Sequence, residues 1–128
     1  MMSSSPPGQS RVVIVGGGAA ALEAMLALRA ICGERVSIDM YAPREDFVMR
    51  PLAVVEAFGE GEVLKFDLDE VVSESGATFH RHSVVAIDPT NRRIVLQDGG
   101  EVPYDYVIVA TGTKSLWVVP GAMTFWGP

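Results

Sequence analysis

The stretch Val12-Val13-Ile14-Val15-Gly16-Gly17-Gly18-Ala19-Ala20-Ala21 decides how this chain folds. Four apolar, β-branched residues in a row fit a strand buried on both faces, as the strands of parallel sheets are. Three glycines end the strand, and an Ala/Leu-rich run over residues 19–31 follows, with Leu22, Met25, Leu26 and Arg29 at helical spacings. Gly33 closes that helix, and residues 36–41 resemble a second strand. Strand, glycine turn, helix and strand in this order spell one βαβ crossover.

The same glycines fit G-x-G-x-x-A, with Gly16, Gly18 and Ala21 at the defining positions. The first glycine lets the chain turn sharply. The second removes a side chain that would keep a pyrophosphate from the backbone, and the small third residue lets the helix pack close to the strand. The helix start then offers N–H groups and a partial positive charge to phosphates. The competing reading is a tight turn that only packs a helix on a sheet.

A dinucleotide site also uses an acid at the end of the second strand to hold a ribose hydroxyl. Asp39 lies inside that strand, Met40, Tyr41, Ala42 and Pro43 follow it, and Glu45 and Asp46 come later in the loop. Asp39 reads equally as a mid-strand polar residue facing solvent and as a ribose contact.

Residues 42–61 show no clean period and are broken by Pro43, Pro51, Gly59 and Gly61, with one short helical turn expected at residues 53–58. A loop of this length is usually functional or disordered. Residues 67–75 read as a helix with acids in its first turn, closed by Gly76. Residues 79–87, 93–96 and 102–104 read as short strands joined by Asp88-Pro89-Thr90-Asn91 and Asp98-Gly99-Gly100, a small antiparallel meander. A second fully apolar strand at residues 106–110 breaks at Thr111-Gly112-Thr113. The fold class is therefore α/β: a Rossmann-like parallel sheet with its G-x-G-x-x-A turn, plus the meander. Residues 11–128 are expected to form one domain behind a disordered Ser/Pro/Gly-rich tail at residues 1–10.

The composition narrows the partners. The 128 residues carry 16 acidic against 10 basic side chains, a net charge of -6, which disfavours nucleic acid and anionic lipid. No apolar run approaches the roughly 20 residues of a transmembrane helix. The tail lacks the basic start and apolar stretch of a secretion signal, so a cytoplasmic location is expected by default. Cys32 is the single cysteine and can form neither an internal disulfide nor a redox pair; it reads as a small residue near a helix end. His80 and His82 would face the same side of a strand with no cysteine or acid at matching spacing, so no metal site is expected. No residue reads as an acid–base catalyst.

Taken together, these residues resemble a known family. RVVIVGGGAAALEA at residues 11–24 resembles the start of the flavin-dependent pyridine nucleotide oxidoreductases, and is most similar to the branch of type II NADH dehydrogenases, sulfide:quinone reductases and ferredoxin reductases. YDYVIVATGT at residues 104–113 resembles the family's second signature, an apolar strand running into A-T-G. FVMRP at residues 47–51 resembles the loop that approaches the flavin, and HSVVAID at residues 82–88 the point where backbone meets adenine.

The resemblance implies FAD bound in an extended form. Gly16, Gly18 and the neighbouring backbone of Gly17, Ala19 and Ala20 would hold the pyrophosphate. Val84 would meet the adenine, Arg50 the flavin end, and Ala110, Thr111 and Gly112 would close over the cofactor. From the residues alone, Arg50 reads equally as a solvated arginine, and Met49 as core or as flavin packing. Two departures stand out. Ala42 falls at the family's acid position, which shifts the ribose contact toward Glu45 or leaves it unfilled. The chain is also expected to stop before an NAD(P)H-binding domain and the return segment that completes the flavin pocket.

The leading expectation is thus the FAD-binding part of an FAD-dependent oxidoreductase, with NAD(P)H as cosubstrate through a domain absent from this chain. In the family, hydride passes from nicotinamide to flavin, then electrons to a quinone or other acceptor. Two rivals are a nucleotide-binding module without turnover, and an inert domain. The inert form would meet a missing half or another copy through an exposed sheet edge and the apolar patch of Trp117, Phe125 and Trp126.

Overall fold

A computed structural model of the chain describes residues 7–48, 65–113 and 119–121. The apolar run forms strand β1 (Ser10–Val15), and the Ala/Leu-rich run forms helix α1 (Ala19–Cys32). Gly33 ends the helix with φ 57°, its N–H donating to the Arg29 carbonyl, and a short 3-10 turn (Gly33–Arg35) leads into β2 (Val36–Ala42). Strands β3 (Asp46–Val48) and β4 (Lys65–Asp67) pair as a short antiparallel ribbon in which the Phe47 and Phe66 rings stack. Helix α2 (Leu68–Glu74) then precedes β5 (Thr78–Arg81), β6 (Val84–Asp88), β7 (Arg93–Leu96), β8 (Glu101–Pro103) and β9 (Tyr106–Val109).

Four of these strands make one parallel sheet in the order β5-β2-β1-β9. In its centre Ile14 aligns with Met40 on one side and Ile108 on the other. Successive side chains point to opposite faces, which explains why β1 is apolar throughout. Val12 and Ile14 join Ile38, Met40, Ala21, Met25, Val72 and Ala77 in a core beneath the helices. Val13 and Val15 join Tyr41, Ile94, Leu96 and Tyr104 in a second core beneath the antiparallel sheet β6-β7-β8. Each fully buried aliphatic side chain contributes about 1.5–3 kcal/mol of burial. The α/β class, the parallel sheet and the separate meander agree with the sequence reading.

One boundary differs. The run expected as a single strand over residues 79–87 divides into β5, which joins the parallel sheet, and β6, which joins the meander. The chain bends between them, with the His82 N–H donating to the His80 carbonyl at 2.9 Å. Phe79 packs toward the helix-side core and Val84 toward the meander-side core, so the two halves of the run belong to opposite layers. The helix expected at residues 67–75 starts one residue later because Asp67 caps it. Residues 53–58 and the patch of Trp117, Phe125 and Trp126 lie outside the described residues. Among the described residues no helix is long and apolar enough to cross a membrane.

Candidate functional site

The glycine turn sits at the carboxyl end of the parallel sheet, stitched between its neighbours. The Gly16 N–H donates to the Tyr41 carbonyl at the end of β2, and the Ala110 N–H donates to the Val15 carbonyl, both at 2.8 Å. Gly16 has φ +128°, and a Cβ there would stand 2.0 Å from the Ala110 carbonyl oxygen. No side chain fits against fixed backbone at that distance. At Gly17 a Cβ would meet Leu68 Cδ1 at 2.8 Å and Ala42 Cβ at 2.9 Å. Gly18 is different: a Cβ there would meet nothing within 4 Å.

Gly18 is also the N-cap of α1, in extended conformation, with no side chain capping the helix and no acid in its first turn. The Leu22 N–H donates to the Gly18 carbonyl at 3.1 Å, starting the helical ladder. Ahead of it, no side-chain oxygen among the described residues answers the helix's first N–H groups. Gly18, Ala19 and Ala20 are exposed, whereas Ala21 is fully buried against the sheet. The helix end is thus open, small-sided and partially positive, which suits an anion and leaves the backbone reachable.

Ala110, Thr111 and Gly112 follow β9 along the same end of the sheet. The close approach of Ala110 to Gly16 places them beside the turn; Thr111 and Gly112 are exposed, and Gly112 has φ +75° with open space around it. Val84 opens β6 and packs into the meander-side cluster that holds Val15 and Tyr41, whose carbonyls anchor the turn. Arg50 and Met49 lie outside the described residues. Gly18 leaves a space that a side chain would enter, ahead of N–H groups that no side chain caps among the described residues.

The acids are distributed otherwise than a ribose site requires. Ala42 ends β2 against Gly17, buried and without a carboxylate. Asp39 matches neither of its sequence readings. It lies within the sheet, its carboxylate 2.9 Å from Arg11 Nε and 2.7 Å from His80 Nε2, with a side chain only 15% exposed. Burial by itself would raise its pKa; the His80 hydrogen bond and the Arg11 charge outweigh that and hold it below its ordinary value. His80 in turn stacks on Tyr41, ring centroids 4.4 Å apart. The histidine therefore does meet an acid, supplied by the neighbouring strand, which spacing along β5 could not reveal. Among the described residues no group of three or more His, Cys, Asp or Glu is placed to hold a metal.

A second concavity lies at the opposite, amino-terminal end of the sheet, lined by Gln9, Arg29, Glu34 and Glu74 among others. Arg29 is committed there to structure, donating to the carbonyls of Gly33, Val36, Ser75 and Gly76. It ties the end of α1 to the approach of β5.

Comparison with known proteins places the chain in a family. The family described as pyridine nucleotide-disulphide oxidoreductase matches residues 10–127. The mitochondrial sulfide:quinone oxidoreductase of Dictyostelium discoideum is 30% identical over 109 residues, covering 84% of this chain and 24% of the relative. Ferroptosis suppressor protein 1 of Taeniopygia guttata is 35% identical over 106 residues, covering 83% of this chain and 27% of the relative. Among solved structures, the sulfide:quinone oxidoreductase of Aquifex aeolicus superimposes with a TM-score of 0.79 at 24% identity, over 84% of this chain and 25% of that one. The chain spans about a quarter of the length of these relatives. With a matching sheet, a glycine turn in its structural context and a family match over nearly all its residues, the chain belongs to the pyridine nucleotide-disulphide oxidoreductase family.

Proposed function

We propose that this chain is the FAD-binding part of an FAD-dependent NAD(P)H oxidoreductase, with NAD(P)H bound by a portion outside these residues. The observation that carries the reading is the open N-terminus of α1: Gly18 faces empty space ahead of uncapped N–H groups, beside Ala110, Thr111 and Gly112. The names of the relatives, a sulfide:quinone oxidoreductase among them, support an electron-transfer role.

Bound flavin would accept hydride from a nicotinamide and pass electrons on to a quinone or other acceptor. The chain's own residues would bind and orient it. Gly16 sets the turn, and Gly18, Ala19 and Ala20 offer backbone N–H groups to the pyrophosphate. Ala110, Thr111 and Gly112 line the adjacent edge, Val84 offers backbone toward the adenine, and Arg50 is assigned to the flavin end. No side chain of this chain is assigned to proton transfer.

The test is visible absorption of the purified chain, before and after incubation with FAD and removal of the excess. Flavin bands that stay with the protein are the expected result. A colourless protein with no affinity for FAD would contradict the reading.

A further inference from the structure

This inference rests on the cofactor reading above and concerns the ribose, for which the end of β2 offers no carboxylate. Three acids are close enough in sequence to replace the one missing at Ala42: Asp39, Glu45 and Asp46. Asp39 is committed inside the sheet to Arg11 and His80. Asp46 belongs to the β3–β4 ribbon, where it stands opposite Asp67 and pairs with Arg44 at 3.4 Å.

Glu45 is placed differently. Its carbonyl accepts the Leu68 N–H at 2.8 Å, and Leu68 is the residue whose Cδ1 closes over Gly17. Its carboxylate lies 3.2 Å from Arg81 Nη1, and Arg81 is the β5 residue in register with Ala42. Glu45 is therefore held beside the vacant acid position from two directions, its backbone through Leu68 and its side chain through Arg81. Both side chains are more than half exposed, at 61% and 64%, so the pair adds little to folding. The carboxylate keeps acceptor capacity that one guanidinium contact does not use.

We propose that Glu45 is the ribose-recognising residue of this site. Its carboxylate accepts hydrogen bonds from the adenosine ribose hydroxyls, and Arg81 is a positioning residue that holds it at the end of the sheet. This relocates a contact usually made from the last residue of the second strand to the loop behind it.

The experiment is calorimetric titration of the 128-residue chain with ADP and with 2′-deoxy-ADP, which differ at one ribose hydroxyl. The unsubstituted chain is expected to prefer ADP by about tenfold, the worth of one charge-assisted hydrogen bond. Glu45→Ala is expected to bind both nucleotides alike with an unchanged thermal midpoint. Arg81→Ala is expected to lose part of the preference, and Asp46→Ala none of it. A merely structural role for Glu45 would not move the ratio between the two nucleotides. Equal binding by the unsubstituted chain, or a preference that survives Glu45→Ala, would overturn the assignment and leave the cofactor reading standing. Failure of the unsubstituted chain to bind either nucleotide would overturn both.

Discussion

The two helices begin in opposite ways. Helix α2 closes its own N-terminus: the Asp67 carboxylate accepts the N–H groups of Asp69 at 2.8 Å and Glu70 at 3.2 Å, and those two acids fill the first turn. Helix α1 has glycine at the same position, no capping side chain, and alanines where α2 has acids. A carboxylate cap is worth about 0.5–2 kcal/mol over alanine and a few tenths over glycine, so α1 forgoes only a little stability. What it keeps is an unanswered positive end. The capped end of α2 serves the fold, and the open end of α1 is the one proposed above for the cofactor.

The largest effect is expected where the turn meets fixed backbone. Gly16→Val places a side chain against the Ala110 carbonyl at a positive φ, and should destabilise the domain by about 3–5 kcal/mol in urea denaturation. A cost below about 1 kcal/mol would mean that the turn yields, and that the geometry in front of α1 is not fixed.

The same contrast runs along β2, whose acid is spent at mid-strand and not at the end. Asp39→Asn removes the carboxylate that Arg11 and His80 share, and should cost about 2 kcal/mol. Because the folded-state pKa of Asp39 lies below its ordinary value near 3.8, its contribution is present above that value and is lost as pH falls through the folded one. Denaturation midpoints followed below pH 4 should therefore fall more steeply for the natural chain than for Asp39→Asn. Parallel curves would remove Asp39 from the account. At α2, Asp67→Ala should cost about 1 kcal/mol without touching nucleotide affinity; a loss of affinity would show that the two helix ends are not independent.

The features legible in the sequence are those whose causes are local. Four β-branched residues, three glycines and Ala21 define the turn within ten positions, and each has a single mechanical role. The meander was marked by its Asp/Gly-containing turns. What stayed hidden depends on partners far along the chain. His80 and Asp39 are 41 residues apart, and their contact exists only because β5 and β2 lie side by side. The bend at His82 and Ser83 carries no glycine or proline, so nothing local announced that residues 79–87 serve two sheets. The β3–β4 ribbon joins three-residue strands across a long gap, too short for a period to show. Leu68 is a buried residue of α2, and its contact over Gly17 follows from the placement of the whole helix.

The smallest expected change in stability accompanies the sharpest test. Gly18→Asp gives α1 the cap that α2 already has, at a position where the backbone is extended and a Cβ meets nothing. Stability should hold or rise by a few tenths of a kcal/mol. The decisive measurement is FAD affinity by fluorescence titration of the natural chain and of Gly18→Asp, with thermal midpoints recorded alongside. The variant is expected to melt no lower and to lose FAD binding, because a carboxylate would then occupy the place proposed for the pyrophosphate. Undiminished FAD binding by a well-folded Gly18→Asp would contradict the claim that the open end of α1 is the cofactor site.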